Sequence, residues 1–330
     1  MAEFLTFDTD LTAVANAIRV KGGTSAQLIY PSGFVSAIQA IQTGITPKLV
    51  VTTTPGAAIT ATPAEGFKVV KGTAGADGMC TLELPKAGTW HVTAMANSVS
   101  NSQNIVIGTQ NMLLPLYHDT FANNTWEEII TVCRTGIAPD SWAVGDSKTM
   151  NIGGTAYQVD IIGKNHDEYA DGSGTAPLTF QLHDCYSEAK QMYSTNLSGL
   201  GWKNTDMRLT YLPAILALMP AEVQNGIHAV NKKTSEGGNS TTIETVSDTL
   251  FLLSEVEIFG TASSSVAGEG SQYDYYKAGN PKIKKREGVD EFWWERSSAS
   301  GGMFGRVRAN GQAGASNASN SLGVSFAFCF

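Results

Sequence analysis

The chain has 330 residues, enough for two or three domains rather than one. Hydrophobic residues make up 42% and charged residues 16%, the balance of a folded protein with a weakly charged surface. A net charge of −8 argues against a nucleic-acid partner, which wants a basic stripe, and no segment reaches the roughly 18 consecutive apolar residues of a membrane span.

The N-terminus, Met1 to Asp8, lacks a basic region and a continuous apolar stretch, so it does not read as a secretory signal. Release from the cytoplasm by another route is the expectation. Residues 1–45 read as a helical attachment or oligomerisation module. Asp10 can cap a helix with Leu11, Val14, Ala15 and Ile18 on one stripe, ended by Gly22-Gly23. Pro31-Ser32-Gly33 then turns the chain into a second stretch carrying Phe34, Ile38 and Ile41. Neither is long enough to be stable alone, so each must dock onto a neighbour or another subunit.

Over 46–112 the period changes to that of strands. Leu49 to Thr53, Ala58 to Thr62, Phe67 to Val70, Cys80 to Leu84, Trp90 to Ala94 and Asn104 to Ile107 are β-rich runs with turn signals between them. Six or so short strands predict a small β-sandwich of immunoglobulin-like type, a module suited to spacing.

The segment 113–330 mixes both periods, so the chain as a whole reads as α+β and multidomain. Thr125 caps a helix beginning at Trp126, and Lys148 to Ile152 turns at Gly153-Gly154 into Ala156 to Ile162 as a hairpin. A helix follows at about 205–218 with Met207, Leu212, Ile215 and Leu216. Thr249 to Leu253 suits a buried strand, and Val324 to Phe330 alternates as a strand that ends the chain.

Chemical motifs are few. Cys80, Cys133, Cys185 and Cys329 form no CxxC pair and no ligand-like spacing with histidine, so free buried thiols are expected, with neither zinc nor a disulfide framework. His166-Asp167 and His183-Asp184 invite a catalytic reading, but neighbours on a strand point to opposite faces and provide no positioned base and nucleophile. Structural roles are the expectation there, as for Glu127-Glu128 in a helix's first turn. Gly237-Gly238-Asn239-Ser240-Thr241-Thr242 lacks the Gly-Lys-Ser/Thr of a phosphate cradle, and no cofactor is expected. Lys284-Lys285-Arg286, the one dense basic run, reads as a solvated loop tip.

Three stretches carry a resemblance to known proteins. Asp8 to Ser25 with Pro31-Ser32-Gly33-Phe34 looks like an N-terminal module of prophage tail proteins, and the sandwich resembles spacer domains of the same fibres. The third stretch carries several motifs in order: Val144-Gly145-Asp146, Ile161 to Asp167, Asn204 to Arg208, Leu252 to Gly260, Trp294-Glu295-Arg296-Ser297 and Gly323-Val324. In this spacing they resemble a widespread phage domain similar to the variable proteins of diversity-generating retroelements. That likeness spans nearly all of 113–330 and implies a C-type-lectin-like domain displaying a receptor-binding surface. It further implies a non-enzymatic tail adhesin, located in the virion, that binds a bacterial surface receptor (protein or glycan) alongside other tail proteins. A homotrimer is expected by analogy with tail fibres. The sequence departs from sugar-binding lectins in having no Glu-Pro-Asn, Gln-Pro-Asp or Trp-Asn-Asp triplet, so calcium-dependent sugar coordination is not expected. The cysteine pair of formylglycine-generating enzymes is also missing, since Cys329 stands alone in its region.

Residues 297–323 are the expected binding surface. Apart from Met303, Phe304, Arg306, Val307, Arg308, Gln312 and Leu322, all are Ser, Gly, Ala or Asn, held between Trp293-Trp294 and the apolar C-terminal stretch. Composition leaves a functionless flexible hairpin and a loop-rich display surface equally open, and the resemblance favours display. Phe304, Val307 and Gly311 would form the fixed skeleton. Ser298, Ser300, Met303, Arg306, Arg308, Asn310, Gln312, Ser316, Asn317 and Ser319 would point outward, with the arginines as anchors. Tyr273, Tyr275 and Tyr276 either flank this face or pack on a neighbouring subunit. A polysaccharide-degrading enzyme would need carboxylates paired across a cleft, and 297–323 contains none. A purely structural tail component is the other alternative.

Overall fold

A computed structural model describes residues 8–22, 47–64, 66, 68–85, 87–107, 110–238 and 240–330. The chain is mixed α and β, rich in sheet, and divides into two compact units, Met1–Tyr117 and His118–Phe330. No helix among the described residues is long and apolar enough to cross a membrane.

In the first unit, helix α1 (Asp8–Gly22) starts before the expected Asp10 cap and buries Ala15 and Ile18, while Val14 is exposed. The helical stretch expected around Phe34, Ile38 and Ile41 lies outside the described residues. Strand alternation then builds two sheets. Strand β1 (Lys48–Thr52) lies between β4 (Met79–Glu83), antiparallel, and β7 (Gln110–Leu113), parallel. The other sheet runs β3 (Val70–Thr73), β2 (Ala58–Pro63), β5 (Gly88–Ala96) and β6 (Val99–Ile107), all antiparallel.

The two sheets share one core. Leu49, Val51 and Leu82 come from the first, and Ile59, Trp90 and Val92 from the second. Strand β3 begins where the expected run Phe67 to Val70 ends, because β2 sets its register by pairing Ala61 with Val70. Its Gly72 admits Cys80 and Leu82 from β4, which a Cβ at that position would overlap. β5 and β6 turn on Asn97-Ser98, both left-handed (φ 49° and 67°), as a two-residue hairpin loop requires.

The second unit opens with α2 (Trp126–Cys133). Here Glu128 N donates to Thr125 Oγ1 and Thr125 N donates to the Glu128 carboxylate, a reciprocal cap. The hairpin β8 (Ser147–Ile152) and β9 (Thr155–Gly163) turns at Gly153-Gly154. β9 pairs with β10 (Thr179–Leu182), and β10 with β18 (Ala327–Cys329), so the last residues close a four-stranded sheet. The alternation expected of Val324 to Phe330 is overruled, since every one of these residues is buried. Phe180 meets Phe328 at 5.2 Å, Phe330 at 5.3 Å, Trp126 at 5.9 Å and Phe121 at 6.0 Å, and every residue of β10 and β18 is buried, so both faces of the sheet are covered there.

The helix expected at 205–218 is a π turn, Met207–Tyr211, running into α3 (Leu212–Leu216), followed by α4 (Ala221–Gly226). β11 (Val230–Ser235) and β12 (Ile243–Asp248) form a separate hairpin. The run Leu250 to Leu253 is buried as expected but makes only a bridge between Phe251 and Ala327. Its other carbonyls are used elsewhere: Leu253 O accepts from Arg296 N, and Leu252 O from the Arg296 guanidinium. Two short helices follow, α5 (Glu255–Phe259) and α6 (Asp274–Lys277).

The basic run 284–286 corrects the loop-tip expectation. It is a strand, β13 (Lys284–Arg286), paired with β14 (Val289–Glu291). Lys284 is buried, and its ammonium donates to the Leu182 and His183 carbonyls. Burial brings its pKa down to about 8. The chain ends with a three-stranded meander, β15 (Trp293–Ser298), β16 (Met303–Val307) and β17 (Ala313–Asn317), before β18.

Phe180 is fully buried among four aromatic rings. Phe180→Ala is expected to lower the stability of the full chain by about 3–5 kcal/mol in urea unfolding. A loss below about 1 kcal/mol would show that the ring cluster does not anchor the C-terminal strand.

Candidate binding surface

The expected surface segment is a sheet rather than a loop. Trp293 pairs with Val307 and Trp294 with Arg306, and pairing resumes only at Ser298 with Phe304. Glu295, Arg296 and Ser297 therefore stand opposite Gly305 alone, a bulge of three residues against one. All three are fully buried. Glycine at 305 is required, because a Cβ there would overlap the Glu295 carboxylate.

Beneath the meander the bulge feeds a buried chain of charges. The Arg296 guanidinium makes a fork onto Glu257, with Nη2 to Oε1 at 2.9 Å, and also donates to the carbonyls of Leu252, Lys233 and Glu269. Glu257 receives Lys232 Nζ at 2.8 Å, and Lys232 reaches Asp167 at 2.6 Å. Thr179 and Tyr273 hydroxyls donate to the same Asp167 carboxylate, at 2.6 and 2.9 Å. Two cations and two anions thus neutralise one another out of water. Burial alone would raise the Asp167 pKa, but the Lys232 charge and the hydrogen bonds bring it down to about 2. Burial opposes the Lys232 charge too, yet Asp167 and Glu257 hold its pKa above the usual value.

Three further carboxylates lie nearby. Glu255 is ringed by Ser263, Ser264 and Ser265, and Glu269 accepts from Ser235 N at 2.8 Å and from the Ser297 hydroxyl. Glu295 has no hydrogen-bond partner for either oxygen. Burial first, and the charges of Glu255 and Glu269 second, push its pKa well above the ordinary value and favour the protonated form. A cleft of about 450 Å³, lined by His166, Glu168, Asn231, Lys233, Thr245 and Ser271, opens onto Asp167, Lys232 and Glu257. The floor groups are already bonded to each other. Among the described residues, no group of three or more His, Cys, Asp or Glu side chains is placed to hold a metal ion.

The expected contact residues separate into three sets. Arg308, Asn310 and Gln312 are exposed at the β16–β17 turn, with half-buried Arg306 beside them. Ser300 and Asn317 are exposed at the opposite end of the meander, near half-buried Met303 and Ser319. About 13 Å of strand separates the two ends. Ser298 and Ser316 are buried, which corrects their outward assignment. Both pair across strands with Phe304, so all three share the side on which Phe304 enters the core. The skeleton residues Phe304 and Val307 are fully buried, and Gly311 takes a left-handed turn conformation (φ 81°).

The tyrosines also need correcting. Tyr273, Tyr275 and Tyr276 are buried within the chain and serve neither as flanking contacts nor as packing for a neighbouring subunit. Each ring fills core space, and the hydroxyls of Tyr273 and Tyr276 find Asp167 and Gln181. The histidine pairs make contacts within the second unit. His166 stacks on Tyr273 at 4.0 Å, His183 Nδ1 meets Asp160 at 2.7 Å, and Asp184 accepts from Lys285 N. Sequence reasoning missed Phe292, whose ring lies 4.4 Å from the Arg306 guanidinium carbon. Its position two residues before Trp294 on the same strand period was the available signal.

A protein family described as a domain of unknown function (DUF6273) matches residues 179–330, the part of the second unit that carries β10, the bulge and the meander. No curated protein and no solved structure matches the chain.

Two outcomes are expected from the charge chain. Lys232→Met leaves two buried carboxylates facing each other and should cost about 3–5 kcal/mol in chemical denaturation. Glu295 tests the opposite sign. Its folded pKa is raised, so stability is fullest below its ordinary value of 4.5 and falls as pH rises above it. Glu295→Gln removes that titration, so the melting temperature of the variant relative to wild type should climb between pH 4 and pH 8. A flat difference over that range would mean Glu295 is not held neutral.

Proposed function

We propose that the chain is a receptor-binding adhesin of a phage or prophage tail, acting by display rather than by catalysis. In this reading the two-sheet unit is an immunoglobulin-like spacer and the second unit a C-type-lectin-like head. The motif resemblance over 113–330 supports it. So does the way the head's ionisable groups are used: Asp167, Glu257 and Glu269 are each occupied by internal donors, and so act as scaffold.

The observation that carries the proposal is the solvent-facing end of the meander. Arg308, Asn310 and Gln312 stand out on a short turn, while Trp293 to Ser298 in the neighbouring strand β15 are fully buried. A rigid, fully packed base under a polar turn is the arrangement that presents contacts without an ordering cost. Assembly of three chains on one tail would turn modest single-site affinities into avidity.

The four cysteines are buried, so one introduced at the surface can be labelled selectively. In the full chain, Asn310→Cys carrying a maleimide polyethylene glycol should lose binding to cells from a bacterial panel. The same label on Ser300→Cys, at the other end of the meander, should leave binding within about twofold. Undiminished binding by the labelled Asn310→Cys protein, or no binding of wild type to any strain, would overturn the reading.

A further inference from the structure

We infer that the Arg306–Arg308 end of the meander is an oxyanion site, built to take the phosphate or carboxylate groups of an anionic surface polymer. The inference rests on the binding reading of this same surface and names the chemistry of its ligand.

Arg306 lies over Phe292, its guanidinium carbon 4.4 Å from the ring centroid. Stacking satisfies the face of the guanidinium and leaves its terminal Nη groups to a ligand. Its Nε is buried and has no partner. Arg308 lies alongside. A Cβ at Gly314, the cross-strand partner of Arg306, would come within 2.8 Å of Arg308 Nε, so the Arg308 side chain runs over β17 close to the Gly314 backbone. Among the described residues neither guanidinium is in an ion pair, while Arg208, Arg286 and Arg296 each hold a carboxylate. Burial and the neighbouring Arg308 charge both depress the Arg306 pKa.

Two uncompensated cations side by side are unfavourable for the free protein, and unexpected in a chain of net charge −8. An oxyanion removes both penalties. Planar guanidinium forks match the paired oxygens of a carboxylate or phosphodiester. Asn310 and Gln312, bonded to each other at 3.3 Å, add neutral donors and acceptors at the rim.

The test is titration of the full chain with poly(glycerol phosphate), polygalacturonate and neutral dextran, each at low and high salt. Binding to one or both anionic polymers, weakened by salt and absent for dextran, is expected. Arg306→Gln and Arg308→Gln should each weaken it about tenfold or more. The double variant R306K/R308K keeps the charge, loses the forks and should recover only part of the affinity. Arg308 is exposed, so Arg308→Gln is the variant whose melting should match wild type. Preference for the phosphate or the uronate polymer identifies which group the site takes. No binding to either polymer, equal binding to dextran, or unchanged binding by R306Q/R308Q would overturn the inference. Cell binding that persists in R306Q/R308Q would overturn it and leave the adhesin reading standing. Polymer binding at this site with no binding to cells would sink the adhesin reading and leave the anion site.

Discussion

Arg296 donates from one guanidinium to Glu257 and to the backbone of Leu252, Lys233 and Glu269, and so joins four segments distant in sequence. Through Glu257 and Lys232 the connection extends to Asp167, and from there to Thr179 on β10. Each ion is expensive to bury alone, and the chain is tolerable only because charges alternate and most remaining donors have acceptors. Such a network contributes less to net stability than well-packed apolar residues would. Its effect is on geometry: a displaced segment strands a charge, so the segments around 165–170, 232–233, 252–257 and 269 have one arrangement.

The meander inherits its shape from that network. Arg296 and Ser297 can face inward only if β15 bulges, and the bulge is possible only because Gly305 leaves room for Glu295. Small residues elsewhere have the same purpose. Gly302 sits against the Asn196 backbone and Gly323 against Cys185, so close that a Cβ at either site would collide. The abundance of glycine, serine and alanine in 297–323 thus reflects close packing of strands, and the exposed chemistry is concentrated at the Arg308–Gln312 turn.

Glu295 is the exception to the pattern of paired charges. It is fully buried, unpartnered, and beside two other carboxylates, all of which push its pKa up. It carries the sign of pH dependence opposite to that of Asp167, whose contribution to stability is complete above the ordinary carboxylate range and lost as pH falls toward 2.

Much of the local structure was legible in the sequence, because it depends on neighbours in the chain. The Thr125 cap, the Gly153-Gly154 hairpin and the strands of the sandwich follow from side-chain periodicity and turn residues a few positions apart. The burial of Leu250 to Leu253 and of the C-terminal stretch followed from apolarity alone. What only the tertiary structure decided was the fate of groups whose partners are far away. Lys284 and Tyr273 look like surface residues by type, and each is buried because a carbonyl or a carboxylate waits for it. No local pattern encodes such pairings. They join residues more than a hundred positions apart, and the cost of burying a polar group is offset only when the whole unit has closed around it.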